Sequence, residues 1–358
     1  SASALVLAPG GLAEPKLPDL PGLAEFRGAA FHSARWDHSF DLRGKRVAVI
    51  GTGASAIQFV PAIQPLVARL HLFQRTPAWV LPRLGQPIGL RERRLLARFP
   101  LARRALRAKI ALLNELQVLG FRYPWLMGMA ERTAQRYLAA AVRDPALRAK
   151  LTPSYRMGCK RILISDDFYL AVAQPNVELI AGGAAEVREH AVVGRDGIAR
   201  PADAIIFGTG FAVTEFPFAQ IVRGRGGRSL ADVWGDSPRA HLGTSVAGFP
   251  NLFMLLGPNT GLGHTSVLIM IEAQIEHILG ALRFVQRKQL AAIEPRQAAQ
   301  DAFNAEVDRQ MRGTVWTSGG CVSWYLDRSG RNSALWPGAA YQFRRRVARF
   351  RPGEYLLK

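Results

Sequence analysis

The chain is 358 residues long, with 49% hydrophobic and 21% charged residues, which predicts about two folded domains and excludes a peptide or a largely disordered chain. Its formal net charge is +20, yet the seven Lys and 40 Arg are spread along the whole length. Without zinc-finger spacing, a basic-aromatic repeat or a zipper, no nucleic-acid partner is expected.

Only Cys159 and Cys321 are present, which excludes a disulfide framework, a multi-cysteine zinc site and a CxxC dithiol. They are read as packed thiols in a reducing cytoplasm, and no metal site is expected. No apolar stretch reaches about 18 residues, so no membrane span is expected either.

The chain starts at Ser1 rather than Met and runs at once into an apolar strand, residues 4–8, ended by Pro9, Gly10 and Gly11. It reads as a chain entered partway through a fold. Residues 12–26 carry Pro15, Pro18, Pro21 and Gly22 and predict an extended linker. Residues 45–60 predict a strand (Val47, Ala48, Val49, Ile50), a glycine turn and a helix from Ala54, and residues 70–73 a second strand, which together open a parallel sheet. From 89 to 148 the Ala, Leu and Arg texture predicts a helical insertion whose arginines form a solvated face. Strands are expected again at 162–164, 177–180, 187–193, 204–207 and 251–256, and a long helix over 264–285. The segment from Phe303 onward, rich in Trp, Gly and Arg, yields no assignment, and no internal repeat is visible.

Gly51, Thr52, Gly53, Ala54, Ser55 and Ala56 match a dinucleotide-phosphate fingerprint with Ala at its last position. The first glycine permits the tight turn, the second lets backbone approach a pyrophosphate, and the small third residue lets helix pack on strand. Where a carboxylate would accept the ribose hydroxyls of NAD, the second strand ends in Gln74, Arg75 and Thr76. A guanidinium beside a hydroxyl suits a 2′-phosphate, so NADP is expected over NAD.

Phe26, Gly28, His32, Trp36 and Asp37 fit FxGxxxHxxxW followed by Pro or Asp, which resembles the fingerprint of Baeyer-Villiger monooxygenases, most closely the 4-hydroxyacetophenone monooxygenase type. The resemblance implies an enzyme that uses NADPH, FAD and molecular oxygen to oxidise a ketone to an ester or lactone through a C4a-peroxyflavin. Gly158, Cys159, Lys160 and Arg161 resemble the family's loop between the cofactors. There Lys160 would join Arg75 and Thr76 at the 2′-phosphate, and Arg161 would be the catalytic arginine that stabilises developing anions. Phe207 to Phe211 resembles the family's Ala-Thr-Gly-Phe return, with Gly208 for Ala, which implies cofactor contacts for Thr209 and Gly210. Residues 257–264 resemble the loop beneath the flavin ring, which implies the same for Asn259 and His264, although His264 could equally cap the long helix. For His32 and Trp36 structural or gating roles are expected. The likeness extends through Gly320, Cys321, Val322, Ser323, Trp324 and Tyr325 without assigning them a role.

The family's first glycine turn, which cradles the FAD pyrophosphate, has no counterpart here, and neither does the aspartate that orients the arginine. The expected architecture is therefore α/β, with two dinucleotide-binding Rossmann-like domains: the NADP domain nearly complete with a helical insertion, the FAD domain discontinuous and N-terminally truncated. In residues, 1–40 form an FAD-domain segment and linker, 41–88 and 151–206 the NADP domain, 89–150 the insertion, and 207–358 the C-terminal FAD part. Two other readings stay open at this level: a flavin monooxygenase for amines or sulfides, against which Trp36 and Asp37 count, and an inactive NADP-binding module.

Overall fold

The computed structural model describes residues 2–83, 85 and 88–358. After β1 (Leu5–Leu7) the proline-bearing stretch is extended except for one 3-10 turn at Leu23–Glu25. After the expected linker, β2 (Ala29–His32) is a strand of the main sheet, although it lies inside the 1–40 segment expected to be FAD-domain segment and linker. β3 (Arg46–Ile50), α1 (Ala56–Ile63) and β4 (Arg69–Gln74) form the expected strand, turn and helix unit, with the helix starting two residues later than Ala54.

β5 (Val80–Leu81) leads to the insertion: α2 (Leu90–Arg98), α3 (Pro100–Leu116), α4 (Val118–Arg122), α5 (Gly128–Ala141) and α6 (Pro145–Leu151). α2 and α3 bury no residue, and their arginines face solvent. α6 starts where Asp144 caps it, its carboxylate accepting from the Ala146 amide at 2.9 Å with Pro145 at the first helical position.

β6 (Leu163–Ile164) pairs in parallel with β5. Then come α7 (Phe168–Val172), β7 (Val177–Ala181), β8 (Ala184–Arg188), β9 (Ala191–Gly194), β10 (Ala199–Pro201) and β11 (Ala204–Phe207). The single strand expected over 187–193 is two: Glu189 and His190 turn the chain, and β8, β9 and β10 form an antiparallel meander.

The main sheet runs β2-β11-β3-β4-β7 with every neighbouring pair parallel. Both faces are covered, which is why the strands read as unbroken apolar runs. Val47, Val49, Leu70, Leu72 and Ile206 pack under α1 and α7, while Ala48, Ile50, Phe73, Ile205 and Phe207 face the meander side. This order brings the C-terminal ends of β3, β4 and β11 side by side, where ligands of open α/β sheets bind.

α8 (Leu230–Trp234) precedes β12 (Leu252–Met254), which pairs in parallel with β1 so that Leu5 lies opposite Leu252. The two ends of the chain thus build one unit. β12 is shorter than the expected 251–256 because Asn251 and Leu256 both sit at left-handed φ (54° each) and leave the extended conformation. α9 (Leu268–Lys288), β13 (Ile293–Pro295), α10 (Gln297–Met311), α11 (Val315–Ser318), α12 (Ala340–Val347) and β14 (Tyr355–Leu357) complete the chain, with β14 antiparallel to β13. Among the described residues no helix is long and apolar enough to cross a membrane.

Cys159 and Cys321 are not packed thiols but a disulfide, with Cα atoms 6.1 Å apart across 162 positions. Folding brings two loops together that nothing local in the sequence connects. The cysteine count accordingly gives no argument for a reducing compartment.

Candidate cofactor and catalytic site

The glycine turn stands at the end of β3. Gly51 has φ 109°, and a Cβ there would lie 2.4 Å from the Gly208 carbonyl oxygen; any side chain would collide with the neighbouring strand. The Gly51 amide donates to Phe73 O at 2.9 Å and the Gly208 amide to Ile50 O at 2.9 Å, so the turn is pinned to both flanking strands. Ala56 is fully buried, and an added methyl at Gly208 would touch its Cβ at 3.3 Å. That is the close helix-strand packing which the small third residue of the motif allows. Ile57 donates to Gly53 O at 3.1 Å, whereas among the described residues the amides of Thr52, Gly53, Ala54, Ser55 and Ala56 find no backbone acceptor. They are left without acceptors at a helix N-terminus, an arrangement that suits an anion.

Directly after β4, Arg75 and Thr76 line a cavity of about 440 Å³ together with Ser154, Tyr155, Lys160, Gly320, Cys321 and Val322. The fold thus joins the three residues expected at a 2′-phosphate, across 84 positions between Thr76 and Lys160. Partial burial, and then the Arg75 guanidinium, push the Lys160 ammonium below its usual pKa, with no carboxylate offsetting them. Among the described residues no carboxylate pairs with Arg75, Lys160 or Arg161. An entering anion would be met by cations that lack internal partners. Lys160 Nζ sits 5.1 Å from the centroid of the Tyr155 ring. Tyr155 is itself fixed: its hydroxyl donates to Pro77 O at 3.1 Å and its carbonyl accepts from Trp79 Nε1 at 2.8 Å. Burial pushes its phenol up to about 12, which keeps it neutral. Tyr155 and Ser154 escaped the sequence reading, since an unpatterned tyrosine and serine carry no motif, and the Gly320–Val322 segment is part of the family likeness but has no role assigned by it.

Gly158, at φ 93°, turns the loop into Lys160 and Arg161; a Cβ there would reach Phe121 of the insertion at 2.9 Å. Arg161 is exposed, and its charge acts on the buried Tyr325 phenol, partly countering the upward push of burial.

The five fingerprint residues lie in or beside β2 but apart from one another: Phe26 packs with the meander-side core and Trp36 with the core under α1. A Cβ on Gly28 would lie 2.4 Å from Asp203 O and 2.7 Å from the Phe26 ring, so the glycine lets β2 close against β11. Trp36 packs edge-on against Phe31 (5.2 Å between centroids) and Phe59 of α1 (5.5 Å). Asp37 accepts from the Ser39 amide and hydroxyl at 2.9 and 2.6 Å and closes a turn. His32 is buried, its Nδ1 accepting from the Ala34 amide at 3.1 Å and its ring standing edge-on to Phe211. Burial pushes its pKa down, the Gly210 backbone pulls it up less, and Arg35 pushes it down again. Its Nε2 is buried without a partner.

Thr209 Oγ1 donates to Lys16 O at 2.5 Å, and the Lys16 amide to Gly210 O at 2.9 Å; this pair clasps the proline linker. Asn259 is buried at φ 58°. Its Nδ2 donates to Asn332 O (2.7 Å) and Leu335 O (3.0 Å), and its Oδ1 accepts from Arg331 Nη2 (2.8 Å). That side chain is spent on holding its own loop. His264 lies four residues ahead of α9, so it is not the cap. It is buried with Nε2 3.7 Å from Glu115 Oε2 and no hydrogen bond at either ring nitrogen. Burial holds its imidazole down to about 4.

Residues 2–118 match a family model described as FMO-like, flavin-binding monooxygenase-like. A protein of Streptomyces coelicolor named Baeyer-Villiger monooxygenase is 51% identical over 361 residues, covering 100% of this chain and 69% of its own length. One of the same name from Pseudomonas aeruginosa is 48% identical over 359 residues, covering 100% and 68%. Among solved structures, cyclohexanone monooxygenase from Rhodococcus sp. Phi1 bound to NADP+ superimposes with a TM-score of 0.82 at 27% identity, over 99% of this chain and 75% of that one.

Proposed function

This chain belongs to the Baeyer-Villiger monooxygenases, and on that premise we propose which of its residues carry the reaction. The family is NADPH- and FAD-dependent and oxidises a ketone to an ester or lactone with molecular oxygen. The assignment of residues is supported by one observation: Arg75, Thr76 and Lys160 line a single cavity, and among the described residues no carboxylate pairs with its cations.

The residues fit NADP. The amides of Gly53, Ala54, Ser55 and Ala56 take the pyrophosphate, while Thr52 and Gly51 shape the turn. Arg75 and Lys160 take the 2′-phosphate, the first as a planar fork and the second as a point charge, with Thr76 supplying a hydroxyl. FAD, when bound, would supply the redox and oxygen chemistry.

Arg161 is assigned as the catalytic residue. Its guanidinium has no internal carboxylate and projects from the loop that also carries Lys160, so it is free to stabilise negative charge developing at the reacting centre. Thr209, Gly210 and Asn259 act at one remove: the first two hold the linker between the two units, and Asn259 holds the loop of 257–264. For the domains, residues 41–88 and 151–206 are assigned to the NADP unit, to which β2 must be added because it pairs with β11.

The test is to supply the chain with FAD and NADPH and follow a panel of ketones by NADPH oxidation and by mass analysis of products. Ester or lactone carrying one added oxygen atom is expected. Oxidation of sulfides and amines with no ketone converted would sink the assignment.

A further inference from the structure

The Cys159–Cys321 disulfide joins the two segments that meet at the cavity. Cys159 immediately precedes Lys160, and Cys321 lies in the wall formed by Gly320, Cys321 and Val322. Little else fastens that wall. The Gly319 amide donates to Val315 O at 2.9 Å and the Tyr325 amide to Ser323 Oγ at 3.2 Å, but among the described residues no backbone amide from 320 to 324 donates a hydrogen bond. Val322 is 83% exposed, and Gly320, at φ 75°, has open space around it. Other ties are the Arg156 amide to Gly319 O at 3.0 Å, the Leu326 amide to Ser323 O at 3.1 Å, the packing of Cys321 against the buried cluster of Trp79, Phe121 and Trp316, and the approach of Cys159, whose Cβ and Sγ would lie 2.7 and 2.9 Å from any Cβ on Gly319. The covalent bond is therefore the strongest tie between 320–322 and the lysine loop.

We propose that the disulfide is a positioning element of the nucleotide site: it holds Gly320–Val322 as a wall of the phosphate cavity and fixes the backbone at Lys160, so that its reduction selectively weakens binding of the 2′-phosphorylated nucleotide. The inference rests on reading that cavity as the 2′-phosphate site. The chemistry is thiol–disulfide exchange with a small-molecule dithiol. Two electrons and two protons pass from the dithiol to the bridge, the Sγ–Sγ bond breaks, Cys159 and Cys321 become thiols, and the dithiol closes to its own disulfide. Freed from the bridge, the wall has no hydrogen bonds of its own to retain it. Lys160, already short of solvent and facing Arg75, then loses the enclosure in which an anion is worth most to it.

The test uses the full chain, oxidised and after dithiol treatment and removal of reductant under nitrogen, with the free thiols counted by a chromogenic reagent. NADP+ and NAD+ are titrated into both forms by calorimetry. In the oxidised chain NADP+ should bind at least tenfold tighter than NAD+. After reduction, with two thiols counted, NADP+ should weaken by about tenfold, the order of one lost charge-assisted contact, while NAD+ holds constant and reoxidation restores the preference. The Cys159→Ser/Cys321→Ser chain should match the reduced form without reductant; if it does not fold, chemical reduction of the folded chain carries the test alone. A preference for NADP+ that survives with two thiols counted would overturn the tether. So would equal weakening of both nucleotides, which a general loosening produces. Equal binding of NADP+ and NAD+ in the oxidised chain would overturn the phosphate reading itself and the inference with it.

Discussion

Gly51 and Gly208 stand against each other at the ends of adjacent strands, with a Cβ on Gly51 reaching 2.4 Å from the Gly208 oxygen. The contact makes the nucleotide turn and the return of the chain from the sheet one mechanical unit. Gly51→Ala adds a methyl at φ 109° into that contact and should cost on the order of 2 kcal/mol or more, measured as a shift of the denaturation midpoint. NADP+ binding should fall further than stability alone explains, because the cradle amides move with the turn. A variant with wild-type stability and affinity would refute the geometry.

Arg75→Gln and Lys160→Met each remove a cation from the cavity lined by Thr76 and Tyr155. Each should raise KM for NADPH by roughly tenfold or more while leaving KM for NADH near its starting value, since NADH lacks the 2′-phosphate. Steady-state kinetics with both nucleotides decide it. Parallel losses for NADH would show that the cations serve something other than that phosphate.

Arg161→Lys keeps the charge and gives up the planar fork. If the guanidinium acts at the reacting centre, kcat for ester formation should fall by about 10²-fold or more with KM for NADPH little changed. NADPH oxidation would continue without product. Product yield per NADPH consumed is the readout, and an unchanged yield would remove Arg161 from the catalytic role.

Acid should destabilise the fold through His264. Burial holds its imidazole at about 4, against about 6.5 when unfolded. The buried neutral form therefore contributes full stability above pH about 6.5, and this is lost as the unfolded chain takes up a proton between 6.5 and 4, reaching about 3 kcal/mol. His277, also held down to about 4 by burial, acts in the same direction. His264→Gln should flatten part of the acid limb in urea melts run from pH 7 to pH 4. An acid limb identical to that of the parent chain would mean that His264 titrates normally in the fold.

The glycine turn, the strands flanking it, Arg75 at the end of the second strand and the fingerprint from Phe26 to Asp37 are all decided locally. A backbone that must take φ 109° needs glycine wherever the fold puts it, and an apolar run covered on both faces leaves its mark in four or five consecutive residues. These features stand in the chain as short words. Glu189 and His190, by contrast, turn a segment that reads as one strand, because the polar residues Arg188, Glu189 and His190 between Val187 and Ala191 do not announce a hairpin.

What only the tertiary structure decided is who meets whom. That residues 320–322 wall the cavity of Arg75 and Lys160, that Cys159 bonds to Cys321, and that His264 is sealed away beside Glu115 all depend on packing of the elements between. The same reason holds for each of them: closing a loop of 162 residues costs entropy that no single residue along it repays. The partner of Cys159 is chosen by where the whole sheet and insertion come to rest, so neither cysteine could name the other in advance.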